Sequence, residues 1–200
     1  MGLIMSYALP DDLKDIENEA AWKDRDNPKT LYEMLSRTVQ RFPNHDAVSY
    51  QIFSGPKDKA ETFSWKELFD KTTQAANMFR ALGVNETDVV AYVLPNSNET
   101  LLSLLGGAVS GIVAPINPLL EVEQIAAILR DTNAKVVVTL KAFPKTDVCQ
   151  KTAEAVALAP NVHTVLEVDL LRYLTPPKSW IVPIIRPKSN FPHSAKSINF

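Results

Sequence analysis

Apolar positions change spacing several times along the chain, and each change marks an element. Leu31, Met34, Leu35 and Val39 recur at helical spacing behind Thr30, and Pro43-Asn44 ends that run. Thr30 with Glu33 has the spacing of a capping box, the hydroxyl accepting from the third helical amide and the carboxylate reaching back to the cap amide. Residues Asp46 to Phe53 alternate as a strand, Ser54 to Lys59 form a turn, and Glu61 to Phe63 return as a short strand. A second capping box, Ser64 with Glu67, opens a long helix. Its apolar face is Leu68, Thr72, Ala75, Ala76, Phe79 and Leu82, with Gly83 placed for a left-handed C-cap.

Beyond this point the strands lose their alternation. Asp88 to Leu94, Ile112 to Ile116 and Lys135 to Leu140 are nearly continuous apolar runs, as expected of strands buried on both faces, and Thr164 to Val168 reads as a further strand. Helices are predicted between them: Asn98 to Ser110, capped by Ser97 and stopped by Gly111; Glu121 to Asn133, with Val122, Ile125, Ala126 and Leu129 aligned; and Asp147 to Leu158. Strand, helix and strand in alternation predict an α/β fold, a largely parallel, doubly wound sheet with helices on both faces and a short early hairpin. The chain divides into a polar extension (1–29, with a short helix over Asp11 to Trp22), an α/β lobe (30–170) and a Pro-rich, partly irregular tail (171–200). In the tail, Trp180 to Ile185 is expected as an apolar edge segment and Lys188 to Phe200 as poorly ordered.

Leu101 to Leu120 holds no charged residue, long enough to raise the question of a membrane span. Gly106, Gly107, Gly111, Pro115, Pro118 and Asn117 interrupt it, so it reads as a buried helix, a stop and a short strand. No transmembrane segment is expected. The first ten residues lack the charged and apolar stretches of a signal peptide. Met1 to Ser6 fit the loose myristoylation pattern, but no second anchoring signal follows. Without a secretory route, the sequons at Asn85 and Asn98 are not expected to be glycosylated.

Composition narrows the function classes. With 21 basic and 23 acidic side chains the net charge is −2, which gives no nucleic-acid footprint. Cys149 is the single cysteine, excluding an intrachain disulfide and fitting a reducing, cytoplasmic setting. It lies in an amphipathic helix and reads as a packed thiol. Three dispersed histidines, His45, His163 and His193, offer no metal-ligand spacing. Ser110 stands one place too late in Gly107 to Gly111 for a nucleophile elbow, and the glycines form neither a P-loop nor GxGxxG. The missing GxGxxG argues against a nicotinamide oxidoreductase. Asp11-Asp12 and Glu17/Glu19 read as solvated surface. No catalytic, cofactor-binding or metal-binding residue is assigned.

Several segments, in order, resemble one family. They are Thr62 to Leu68 (TFSWKEL), Gly83 to Ala91 (GVNETDVVA, with Thr87 where glycine is common), Leu94 to Ser97 (LPNS), Gly107 to Pro118 (GAVSGIVAPINP), Glu123 to Asp131 (EQIAAILRD) and Ala134 to Thr139 (AKVVVT). Each also specifies fold: Ser64 caps, Asn96 favours a tight turn, and Pro115 and Pro118 stiffen the strand exit around Asn117. Together, from about Thr30 to Asp169, they resemble the opening of AMP-forming acyl-CoA synthetases, adenylate-forming ligases. That resemblance implies ATP, Mg²⁺ and CoA as cofactors of a whole enzyme, with a carboxylic (fatty) acid as substrate. The family's Ser/Thr/Gly-rich phosphate loop, acidic Mg²⁺-associated residue and catalytic lysine have no matching position in these 200 residues. The chain is accordingly expected to be an N-terminal portion, inactive alone, binding no cofactor tightly. Its partners would be the family's downstream lobe and C-terminal domain, with self-association through an exposed apolar patch. The alternative is a stand-alone, non-catalytic α/β interaction module descended from such an enzyme.

Overall fold

Side-chain caps set the helix starts. In the computed structural model, which describes residues 10–53, 55, 60–188, 191–192 and 195–200, Ser64 Oγ accepts from the Glu67 amide at 3.2 Å and Glu67 returns to the Ser64 amide at 2.8 Å. This closed box starts helix α3 (Trp65–Ala81). At the preceding helix, α2 (Leu31–Arg41), Thr30 Oγ1 accepts from the Glu33 amide, but Glu33 bonds the Lys29 amide, one residue beyond the cap. Ahead of it lies α1 (Pro10–Glu19). The hairpin of β1 (Asp46–Tyr50) and β2 (Glu61–Ser64) is antiparallel, with Ser49 and Thr62 opposed and their hydroxyls 2.7 Å apart. Strand β1 stops at Tyr50, short of the expected Phe53. Met1 to Ser6 and His193 lie outside the described residues.

The second sheet is parallel throughout. Strands β3 (Val89–Val93), β4 (Ile112–Ile116), β5 (Ala134–Leu140), β6 (Thr164–Val168) and β7 (Lys196–Asn199) are ordered β4-β3-β5-β6-β7. Val90 pairs with Val113 on one side and Val136 on the other. Helices α4 (Asn98–Ser110), α5 (Val122–Asp131) and α6 (Val148–Ala157) make the crossovers. The chain runs from β3 out to β4, then back across β3 to β5, so right-handed crossovers put α4 and α5 on opposite faces. Helix α3 packs beside α4, and α5 beside α6. Val90, Val93, Val136, Val137, Val138 and Val165 are buried between the layers, with Phe79, Ile125 and Leu129 supplied by the helices. A smaller cluster, Leu35, Phe63, Leu68 and Leu105, ties the hairpin to α2, α3 and α4. Gly106 allows α4 to approach α3, since a Cβ there would stand 2.7 Å from that of Ala75.

Three elements differ from the sequence expectation. Strand β4 is an edge, with Ile112 51% exposed, rather than fully buried; Pro115, which donates no hydrogen bond, suits that position. Trp180 to Ile185 lies in a helix, α7 (Lys178–Ile185), with Pro183 inside it. An unbroken apolar run does not by itself distinguish strand from helix, and the edge of β6 is taken by another segment. That segment is β7, within the stretch expected to have little order, paired with β6 from Thr164–Lys196 to Glu167–Asn199. The start of α5 also holds a hydrogen bond not foreseen, from the Glu121 amide to Gln124 Oε1 at 3.0 Å. Among the described residues no helix is long and apolar enough to cross a membrane.

Candidate functional site

In an open α/β sheet the crevice outside the carboxyl ends of the strands, where strand order reverses, is the expected ligand position. Here the reversal falls between β3 and β5. Strand β3 leads through Pro95 to Ser97 into α4, where Ser97 Oγ accepts from the Thr100 amide at 3.2 Å. This cap delivers Asn98 and Glu99 at the helix start, and both are buried, Glu99 to 5% exposure.

A buried carboxylate needs partners, and Glu99 has two. The Tyr173 hydroxyl donates to it, 2.8 and 3.0 Å from the two oxygens, and Arg172 Nη1 lies 3.0 Å away. Both come from the short 3-10 turn Leu170–Tyr173 that follows β6. Arg172 Nη2 bonds Glu61 of β2, and Asn98 Nδ2 donates to the other Glu61 oxygen at 2.6 Å. One guanidinium thus clamps two carboxylates, one on the hairpin and one on the main lobe. The Tyr173 ring meets that of Tyr50 edge-on at 4.8 Å, and Arg172 lies over its face at 5.0 Å. Asn98 Oδ1 is buried with no hydrogen-bond partner among the described residues.

Electrostatics follow from these contacts. Burial, and then the Glu99 charge, raises the Tyr173 hydroxyl far above its ordinary pKa, so it stays a donor. Burial opposes ionisation of Glu61, but Arg172 and Asn98 outweigh it and hold the carboxyl below its usual range. Asp169, at the end of β6, behaves alike: burial raises it, and the Arg186 pair and the Leu171 amide lower it further. Arg186 meets both Asp169 oxygens at 3.0 and 2.8 Å, and Lys141 Nζ stands 3.8 Å off.

These groups line a cavity of about 460 Å³, bounded by Glu99, Lys141, Glu167, Asp169, Leu171 and Arg172. On the other side of Arg172 a second space of about 300 Å³ is lined by Glu61, Tyr173 and Thr175. The arrangement offers paired donors and acceptors to a polar ligand. It is unsuited to a triphosphate: three carboxylates face two cations, and Arg172 already contacts two carboxylates. Among the described residues no group of three His, Cys, Asp or Glu side chains is placed to hold a metal ion.

The residues weighed in the sequence lie elsewhere. Cys149 is buried in α6. Ser110 ends α4, donating to the Gly107 carbonyl at 3.2 Å. His45 stacks on Phe42 at 5.3 Å, and the His163 amide donates to the Lys135 carbonyl. Glu17 and Glu19 are exposed on α1. None joins the cluster, to whose members the sequence assigned no catalytic or binding role; Asn98 stood out only as a sequon. The one available signal was an acidic residue, Glu99, in the first turn of a helix after a buried strand.

The chain matches the model of the AMP-binding enzyme family over residues 35–192. It is similar to the marinolic acid–CoA ligase of Pseudoalteromonas sp. (strain SANK 73390), 29% identical over 148 residues, covering 74% of this chain and 22% of that protein. It is also similar to the long-chain-fatty-acid–CoA ligase of Bacillus subtilis (strain 168), 30% identical over 158 residues, covering 78% and 26%. The 4-coumarate–CoA ligase 1 of Arabidopsis thaliana is 30% identical over 114 residues, 56% of this chain and 19% of that one. The chain spans about a quarter of the length of the first two, 22% and 26%.

Proposed function

The chain belongs to the AMP-binding enzyme family, and on that premise we propose that it is the first lobe of a cytoplasmic, ATP-dependent acyl-CoA synthetase. In the reaction of the whole enzyme a carboxylate oxygen attacks the α-phosphate of ATP, releasing pyrophosphate and leaving an acyl-adenylate. The CoA thiol then adds to the acyl carbonyl and AMP departs. A fatty acid is the substrate class we favour, in line with the B. subtilis relative.

Within such an enzyme this lobe is a scaffold. Its paired charges at the carboxyl ends of β3, β5 and β6 hold a polar wall of fixed shape, and the triphosphate, Mg²⁺ and CoA are left to parts of the family's chain that these residues do not span. Phosphoryl chemistry needs donors and a metal aimed at the transferring group, and the donors of this cavity are engaged with carboxylates. The observation that carries the reading is the family match across residues 35–192. The 200-residue chain is expected to be inactive by itself. An ATP–pyrophosphate exchange assay with a panel of fatty acids tests this, and acid-dependent exchange above background refutes it.

A second reading, a non-catalytic interaction module, is favoured by one observation: β7 pairs along β6 and extends the sheet within this chain. Concentration-independent monomeric mass, with no dye-binding apolar surface, is the result it expects.

A further inference from the structure

Helix α7 is turned the wrong way round for a surface helix. Its single buried residue is Val182, while Trp180 is 68% and Ile184 84% exposed, with Ile181 and Ile185 beside them. Surface helices normally carry polar side chains on the outer face. Here the outward residues fall at positions 180, 181, 184 and 185, the spacing of one continuous stripe, on a helix roughly 12 Å long.

Charge indicates what the stripe meets. Residues 170–200 contain five basic side chains, Arg172, Lys178, Arg186, Lys188 and Lys196, and no acidic one, leaving the first 169 residues at −7 within a chain of net −2. Arg172 and Arg186 are engaged by Glu61, Glu99 and Asp169. Lys178 and Lys188 are exposed and bracket the stripe at its two ends, Lys178 lying 3.7 Å from the centroid of the Phe53 ring, itself 40% exposed. A second copy meeting this face across a two-fold axis would bring lysines to lysines with no carboxylate of the segment to offset them. An anionic lipid surface offers what the face lacks. Tryptophan and isoleucine insert at the headgroup boundary, and lysines at both ends meet lipid phosphate and carboxylate groups.

We propose that α7, with Lys178, Lys188 and Phe53, docks this chain on the surface of an anionic membrane, lying in the interface without crossing it. Sedimentation of the 200-residue chain with vesicles of phosphatidylcholine, alone or mixed with phosphatidylserine, tests this. Binding is expected with the mixed vesicles and to be weak with the neutral ones, accompanied by a blue shift of tryptophan emission. Trp180→Ser with Ile184→Ser abolishes both. Lys178→Gln with Lys188→Gln weakens binding to mixed vesicles by roughly thirtyfold, at about a tenfold effect for each 1.4 kcal/mol. All four side chains are outside the packed core, and an unchanged far-ultraviolet circular dichroism spectrum verifies the fold. The proposal is overturned by no sedimentation with mixed vesicles, by equal binding to both kinds, or by binding that survives the Trp180/Ile184 change. It is also overturned by a lipid-independent dimer that the same change dissolves, which would make a second copy the occupant.

Discussion

Replacing Tyr173 with phenylalanine removes one atom and keeps the ring. The lost hydroxyl is the group that lies 2.8 and 3.0 Å from the two oxygens of Glu99, a carboxylate only 5% exposed. One proton serves both contacts, so the loss is one hydrogen bond to a charged acceptor, worth about 1.5–3 kcal/mol where burial prevents water from replacing it. Arg172 remains 3.0 Å from Glu99 and limits the damage, so a value near 2 kcal/mol is expected. For a chain of this size that corresponds to a fall in Tm of roughly 4–8 °C. Urea unfolding followed by circular dichroism at neutral pH gives the free energy, with an unchanged slope showing that the unfolded state is not altered. Glu99→Gln and the double variant complete a cycle, and a coupling of about 1 kcal/mol or more is expected of a direct contact. A Tyr173→Phe cost below about 0.5 kcal/mol, or two changes that simply add, refutes the claim that this hydroxyl holds the carboxylate.

The same hydroxyl gives a pH prediction: its folded pKa is raised above 10.0, so its contribution is complete below pH 10 and is lost as pH rises beyond it. Alkaline unfolding profiles of wild type and Tyr173→Phe should therefore converge above pH 10, and parallel curves would contradict this. Asp169 works in the opposite direction. Its folded pKa lies below 3.8, so its stabilisation is present above that value and disappears as pH falls through the folded pKa. Asp169→Asn should flatten that acid limb and cost about 1 kcal/mol at neutral pH, a figure reduced for its partial exposure; an unchanged acid limb speaks against the Arg186 pair. Gly106→Ala sets helix propensity, which favours alanine by about 1 kcal/mol, against a Cβ placed 2.7 Å from that of Ala75. Overpacking should win by about 1–3 kcal/mol, read as a lower urea midpoint, and a stabilised variant would show that α3 and α4 separate freely.

Much of the fold was legible because local signals agreed with the tertiary arrangement. Val136, Val137 and Val138 read as a strand covered on both faces, and they are. Ser64 and Ser97 cap where their hydroxyls predict, and Gly83 takes the left-handed conformation at φ 85°. Legibility failed where the deciding partner was remote. Trp180 to Ile185 suits helix or strand by composition, and it is β7, not this segment, that pairs with the β6 edge. Lys196 to Asn199 has no apolar run, and pairing register alone makes it a strand. Ile112 to Ile116 looks as buried as β3, but among the described residues no further strand adds beyond it. The charge cluster was invisible for the same reason. Nothing local to Glu99 announces Tyr173, 74 positions away, nor does Glu61 announce Arg172 at a separation of 111.

That last separation has a temporal meaning. During synthesis Glu61 leaves the ribosome 111 residues before Arg172, an interval of about 6–22 s at roughly 5–20 residues per second. Through that time the nascent hairpin carries Glu61 without its guanidinium, the start of α4 carries Glu99 likewise from position 99 onward, and Tyr50 precedes the ring of Tyr173. An unpaired carboxylate is costly to bury, so Glu99, 5% exposed in the finished fold, is expected to remain hydrated until its partners are made. The Leu170–Tyr173 turn joins the early and late portions of the chain, and its Arg172, meeting both carboxylates, can act as their latch only once synthesis has passed position 172.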